Sequence, residues 1–160
     1  MLRLLSFYTN NLSGNIPKEI GALTNLQNLE LGFNNFSGHV PRGIWNLTML
    51  QWLSANNNKL SGNIPKEIDA RINLQTLAMG FNYFSGHLPR EIGNLTMLQA
   101  LEFSKNMLSG NVPNEIGALT NLQSVGMSFN NLRAKGNLEL DITSMVVFQK
   151  RLVLLLIYNL

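Results

Sequence analysis

The sequence predicts an α/β-type solenoid, in which short coils of similar structure stack on one another around a shared core. The main observation is a leucine that recurs every 24 residues and is followed each time by Gln. Each copy also contains an alternation of leucines and then an Asn and a Pro at fixed offsets. A unit of about 20 to 30 residues cannot bury its apolar side alone, so its copies must stack. The five leucines are Leu26, Leu50, Leu74, Leu98 and Leu122.

Each copy starts with a short strand. In the second copy Leu29 and Leu31 alternate with polar residues, a period of two that is typical of a strand with one buried face. We expect the strands of successive copies to pair side by side in a parallel sheet. The pattern extends through Leu132, so we assign residues 1–132 to an array of 24-residue coils.

An asparagine follows each strand, where the chain must turn inward. A buried amide can donate and accept hydrogen bonds, so it can satisfy backbone groups of its own coil and of the next one. We therefore predict a structural ladder of stacked amides. Its members are Asn10, Asn34, Asn58, Asn82, Asn106, Asn130 and Asn159.

A Ser-Gly pair marks the next bend in five copies, and a proline follows three residues after each glycine. Proline fixes φ at a value suited to the first position of a helical turn. Glu19 and its equivalents come two residues after the proline, where an acidic group meets the positive end of the helix dipole. The sequence thus predicts short 3₁₀ or single-turn helices on the convex side, since the return is too short for a full α-helix.

The complete unit, L-x-x-L-x-L-x-x-N-x-L-S-G-x-I-P-x-x-I-G-x-L-x-x, resembles the plant-type leucine-rich repeat of receptor kinase ectodomains and receptor-like proteins. The resemblance covers residues 2–132 and implies a right-handed superhelix, a concave parallel sheet and a binding function outside the cell. Such ectodomains usually have cysteine-bearing caps, and receptor kinases add a membrane helix and a kinase domain. None of these occurs in the sequence, so we expect the chain to be a fragment or a truncated gene product.

The repeat departs from its consensus at two places. Arg71 stands where other copies have an inward leucine, and burial of an isolated guanidinium is costly. We expect Arg71 to turn outward or to extend its charge to solvent, with a functional notch on the convex side as the alternative.

After Leu132 the pattern fails, so residues 133–160 form a separate irregular coil. Leu154, Leu156 and Asn159 restore the strand and ladder pattern 29 residues after Asn130. This spacing predicts a last strand near 153–157, with 141–150 in a helix or an irregular loop. A non-native or frayed tail is the alternative.

Outward-facing positions of the strands form the candidate ligand site, because side chains alternate faces along a strand. Large aromatic residues occur there among small polar ones, as in many recognition surfaces. We favour ligand contact for Tyr8 and Trp52. For the phenylalanines that precede ladder asparagines, packing on the neighbouring loop is an equal alternative. The predicted ligand-binding residues are Tyr8, Glu30, Phe33, Trp52, Asn56, Phe81, Glu102, Lys105 and Phe129.

Composition and spacing argue against other functions. The net charge is only +3 with no basic stripe, so we expect no nucleic-acid partner. There is no cysteine, which excludes disulfides, thiolate metal sites and cysteine nucleophiles. His39 and His87 lie two coils apart, about 10 Å, too far to share a metal ion, and neither can be placed in a catalytic triad. We predict no enzymatic activity, no cofactor and no metal.

Four asparagines match the N-x-Ser/Thr acceptor pattern for glycosylation. Asn46 and Asn94 are the better candidates because they should lie on the convex side. Asn11 and Asn35 arise from the repeat consensus itself.

The predicted function is a protein- or peptide-binding module of a receptor ectodomain, with a peptide ligand, a protein ligand or a co-receptor as partner. A stand-alone interaction protein, either a secreted enzyme inhibitor or an intracellular scaffold, is the alternative. If the chain is part of a full receptor, the expected location is the extracellular face of the plasma membrane, or secretion. The first 11 residues fit the repeat better than a signal peptide. The apolar run 152–158 is far shorter than the roughly 20 residues that cross a bilayer, so we expect no membrane insertion by this chain itself.

Overall fold

The computed structural model describes residues 1–69, 73–133 and 146–147. Each coil contains a strand of a first sheet, a strand of a second sheet and then, in five coils, a 3₁₀ helix. This order confirms the predicted solenoid with a parallel sheet on one side and short helical turns on the other.

Within the described residues, the first sheet forms the concave side and contains seven strands that lie side by side in their order along the chain. Its first six strands are parallel, and the inward leucines of successive coils lie directly opposite one another, as with Leu29 and Leu53. Its strands are Leu4–Ser6 (β1), Asn28–Glu30 (β3), Trp52–Ser54 (β5), Thr76–Ala78 (β7), Ala100–Glu102 (β9), Ser124–Gly126 (β11) and Val146–Val147 (β13).

A second parallel sheet of six strands was not predicted. We assigned the Ser-Gly pairs to a bend, and their glycines do have positive φ, from +71° to +88°. The flanking residues nevertheless pair with the next coil, so bend and strand coincide; glycine tolerates this φ because it has no Cβ. The strands are Ser13–Asn15 (β2), Asn35–Gly38 (β4), Lys59–Asn63 (β6), Tyr83–His87 (β8), Met107–Asn111 (β10) and Asn131–Arg133 (β12).

In the described ranges five 3₁₀ helices lie on the convex side, as predicted. Each begins after the repeat proline, and Pro17 has a φ of −61°, the value that its ring favours. The isoleucine in the middle of each helix is buried, as Ile44 and Ile92 show. The helices are Lys18–Ala22 (η1), Arg42–Asn46 (η2), Lys66–Asp69 (η3), Arg90–Asn94 (η4) and Asn114–Ala118 (η5).

The core is one continuous stack between the sheets and the 3₁₀ helices. The period-24 leucines from Leu26 to Leu98 are fully buried, and Leu122 is nearly so. Trp45 is also buried, although the first and fourth copies have Gly21 and Gly93 at its position. Every coil thus shares its apolar side with its neighbours, as a solenoid requires.

Beyond the last regular coil, Val146 and Val147 pair with β11 in antiparallel orientation. This corrects the expectation of a helix or an irregular loop for these two residues. Valine favours strands, and the outer edge of β11 offers backbone groups for pairing. The predicted strand 153–157, the ladder member Asn159 and Arg71 lie outside the described residues. In the described ranges no helix is long and apolar enough to span a bilayer.

Candidate functional site

The ladder asparagines bind the backbone of the turn that follows each concave strand. The Asn82 amide nitrogen donates to the backbone oxygens of Ala55, Met79 and Gly80, at 2.9, 3.2 and 3.1 Å. Its side-chain oxygen accepts from the backbone N–H of Leu60 at 3.0 Å. Asn34, Asn58, Asn106 and Asn130 make equivalent bonds, whereas the Asn10 side chain is exposed and bonds only within its own coil.

The residue before each of these asparagines has left-handed backbone geometry, with φ between 54° and 57°. This conformation costs a non-glycine residue roughly 1–2 kcal/mol. Hydrogen bonds to the next coil offset the cost, since Phe81 N donates to Ser104 O at 2.8 Å and Asn82 N to Lys105 O at 3.1 Å. We name these positions the left-handed row, which borders the concave sheet. It consists of Thr9, Phe33, Asn57, Phe81, Lys105 and Phe129.

Two aromatic side chains form a pair at the first two coils. The rings of Tyr8 and Phe33 meet edge to face, with 5.3 Å between their centroids. Tyr8 also lies against Gly32, where a Cβ would come within 3.2 Å of its ring. About half of each side chain remains exposed. Phe33 therefore packs on its neighbour and leaves about half of its surface exposed, so ligand contact by Phe33 stays a prediction.

Trp52 stands at the centre of the concave sheet. Its cross-strand neighbours in β3 and β7 are Asn28 and Thr76, both small and polar. The indole is 42% exposed. No other aromatic side chain lies at these two neighbouring positions, so a ligand could cover the indole ring directly.

Three of the polar candidates, Glu30, Asn56 and Glu102, already make hydrogen bonds within the solenoid. Glu30 accepts from the Ser6 hydroxyl at 2.7 Å, and the Asn56 side-chain oxygen accepts from Gly80 N at 2.6 Å. Glu102 accepts from Ser104 N at 2.6 Å and lies over Gly126, the residue opposite it in β11. These bonds hold the side chains in defined positions on the sheet.

Lys105 lies between two phenylalanine rings of the left-handed row. Its ammonium nitrogen is 4.5 Å from the centroid of Phe81 in the preceding coil and 5.4 Å from that of Phe129 in the following coil. Both distances fall within the range of cation–π attraction. All three side chains are exposed, so the cation is oriented by the rings and remains accessible.

The other candidates lie away from the concave sheet. Asn46 and Asn94 are exposed at the ends of η2 and η4, and Asn11 is exposed beside Asn35, whose amide nitrogen donates to it at 2.8 Å. His39 and His87 are exposed in the region of the second sheet, against Gly62 and Gly110 of the next coils. Among the residues that the structure describes, no three His, Asp or Glu side chains are grouped as metal ligands would be.

Two exposed apolar residues of the second sheet were missed. Tyr83 and Met107 directly follow ladder asparagines, and about half of each side chain is exposed. The sequence did contain a signal for them, because the residue after the ladder asparagine is polar in every other coil. These polar residues are Asn11, Asn35, Lys59 and Asn131.

Comparison with known proteins places these features in a family. A family model described as a leucine-rich repeat region matches residues 1–131. A search of curated proteins found no match.

Three solved structures illustrate the similarity. The plant peptide hormone receptor RGFR1, in complex with RGF2, is 36% identical with a TM-score of 0.81, over 82% of this chain and 21% of the receptor chain. The Arabidopsis receptor kinase HAESA, in complex with the peptide hormone IDA and the co-receptor SERK1, is 37% identical with a TM-score of 0.78, over 82% of this chain and 22% of its own. The leucine-rich repeat ectodomain of the receptor kinase SOBIR1 from Arabidopsis thaliana is 32% identical with a TM-score of 0.76, over 80% of this chain and 70% of its own.

The chain spans about a fifth of RGFR1 and HAESA, and most of the SOBIR1 ectodomain. The matched repeats, the parallel concave sheet and the 3₁₀ turns agree with the resemblance read from the sequence. This chain belongs to the leucine-rich repeat family and is built from the repeats found in plant receptor kinase ectodomains.

Proposed function

We propose that this chain is a ligand-binding part of a plant-type receptor ectodomain, which recognises a peptide or protein on its concave sheet by surface complementarity and without catalysis. The supporting observation is Trp52, whose large exposed ring is flanked on both neighbouring strands by small polar side chains. The structures of HAESA with the peptide hormone IDA and of RGFR1 with RGF2 support the same class of ligand.

The dimensions of the concave sheet suit such a ligand. Six parallel strands at the usual spacing of about 4.8 Å give a surface roughly 25 Å wide. The Tyr8–Phe33 pair stands in the first two coils and Trp52 in the third, and hydrogen bonds hold Glu30 of the second coil and Asn56 of the third. Rigid aromatic anchors bind with little loss of side-chain entropy, so a short extended peptide can gain useful affinity here.

We propose an extracellular location for this surface, as in the receptor ectodomains that it resembles. Secretion would expose Asn46 and Asn94 to glycosylation. Both lie in the convex 3₁₀ helices, and sugars attached there would leave the concave sheet free.

The concave site can be tested with peptides selected from a random displayed library on the immobilised wild-type chain. For peptides that use the concave sheet, Trp52→Ala is expected to weaken binding roughly 30-fold, because a buried aromatic anchor contributes about 2 kcal/mol. Isothermal titration calorimetry measures the dissociation constants.

Met97→Ala is the matched control, because Met97 is 46% exposed against 42% for Trp52 but lies just beyond η4, outside the concave sheet. It should bind the selected peptides as the wild type does. Equal binding by Trp52→Ala and wild type, with unchanged circular dichroism spectra, would contradict the concave site.

A further inference from the structure

A second exposed surface lies where the concave sheet turns into the second sheet in coils four to six. Its large side chains are on average about half exposed, although the repeat does not need apolar residues at these offsets. We name this surface the corner patch. It consists of Phe81, Tyr83, Lys105, Met107 and Phe129.

The ladder creates this corner. Asn82 and Asn106 are buried, whereas the residues before and after each of them point outward. The residue before belongs to the left-handed row, and the residue after starts a strand of the second sheet. Met107 lies opposite Ser85 in β8, two residues from Tyr83, so both side chains emerge on the same face of neighbouring strands.

The same positions are mostly polar in the first three coils. The outward residues there are Thr9, Asn11, Phe33, Asn35, Asn57 and Lys59. Phe33 is their single large apolar residue, and it packs on Tyr8. Apolar exposure at this corner is therefore specific to the last coils and does not follow from the repeat. Contiguous exposed apolar side chains commonly mark an interaction surface.

A positive charge stands in the middle of the corner patch. Within the described residues, the one ion pair is Arg90 with Glu91, and no carboxylate lies within 4.0 Å of the Lys105 ammonium. Glu102, three residues earlier, is directed away by its bond to Ser104 N and its position over Gly126. The ammonium is thus oriented by two rings, and none of the carboxylates in the described part of the chain lies beside it.

We propose that the corner patch docks a protein segment that carries an Asp or Glu carboxylate between apolar side chains. The carboxylate binds the Lys105 ammonium, and the flanking side chains cover the rings of Phe81 and Phe129 and the side chains of Tyr83 and Met107. The single cation favours a protein over an anionic membrane, which attracts clusters of lysines and arginines. Phe81, Lys105 and Phe129 also belong to the predicted ligand-binding set, but the corner patch does not include Trp52, so the patch and the Trp52 site can be tested separately.

The test uses two peptides, Ac-Leu-Asp-Phe-Gly-NH₂ and its neutral counterpart with Asn in place of Asp. The full chain is labelled with ¹³C on its methionine methyl groups, and the Met107 signal is identified by its absence in Met107→Leu. The Asp peptide should shift the Met107 signal saturably, and the Asn peptide should bind roughly fivefold more weakly, as expected for one exposed charge pair.

In Lys105→Gln the two peptides should bind equally. Lys59→Gln removes the same charge from the third coil and should leave the difference intact. Trp52→Ala, which disables the concave site, should also leave it intact, so the two proposals can fail separately. Equal affinity of the two peptides for the wild type, or an unchanged difference in a correctly folded Lys105→Gln, would overturn the docking surface. A Met107 shift caused by phosphatidylserine vesicles and by neither peptide would overturn it in favour of a membrane.

Discussion

Replacement of Asn82 by alanine is expected to lower the free energy of unfolding by about 3 kcal/mol. The substitution leaves the Leu60 N–H without its acceptor and removes the donor shared by the oxygens of Ala55, Met79 and Gly80. The site is only 6% exposed, so water cannot easily replace these bonds. Urea unfolding followed by far-ultraviolet circular dichroism measures the change.

Asn10→Ala is the matched control at the first position of the ladder. Asn10 is exposed, and its side-chain amide donates to the oxygens of Phe7 and Tyr8 alone, at 3.0 and 3.3 Å, where water can take its place. We expect a loss below about 1 kcal/mol for this variant. Similar losses for the two alanines would mean that buried amide bonds do not determine the stability of the array.

Replacement of Gly93 by alanine is expected to cost about 2–3 kcal/mol through overpacking on the convex side. Gly93 lies in η4, and a Cβ there would be 2.5 Å from the Cβ and the backbone oxygen of Glu115 in η5. Backbone atoms cannot rotate away as a flexible side chain would, so the two helices must move apart. Thermal or urea unfolding of the single variant measures the cost.

The cause can be isolated with a second change at the contact. Glu115→Gly removes one of the clashing atoms and leaves the backbone oxygen, so it should restore part of the stability lost in Gly93→Ala. Gly14→Ala separates this clash from backbone strain, because Gly14 has a φ of +85° and no atom lies within 4 Å of its added Cβ. Strict additivity of the Gly93 and Glu115 changes, within about 0.5 kcal/mol, would contradict a packing origin.

The first sheet and the 3₁₀ helices could be predicted because their signals are local and periodic. Leu29 and Leu31 specify a buried strand face, and Pro17 specifies the start of a helical turn. The second sheet could not be predicted in this way. Gly38 has a φ of +71° within β4, so its residue type indicated a bend while its neighbours paired with the next coil.

The sequence could predict which face of the solenoid the candidate site residues occupy, but not which contacts they make with the neighbouring coils. Trp52 is exposed on the concave strand where alternation puts it. The placement of Lys105 between Phe81 and Phe129 depends on the alignment of three successive coils, which the 24-residue period contains but local patterns do not display. The bonds of Glu30 and Asn56 likewise join residues 24 positions apart. These contacts arise from stacking, so they become visible only when the coils are superimposed on one another.

The left-handed row has a consequence for how this family can diversify. At Phe33, Phe81 and Lys105 the backbone conformation is held by hydrogen bonds that involve none of the side-chain atoms of these three residues. Each position of the row therefore holds its side chain at the same place relative to its coil, whether that side chain carries an aromatic ring, an amide or an ammonium. One side chain can replace another without a change in the backbone. Selection can thus alter ligand preference one side chain at a time along this edge, while the positions that determine folding stay unchanged.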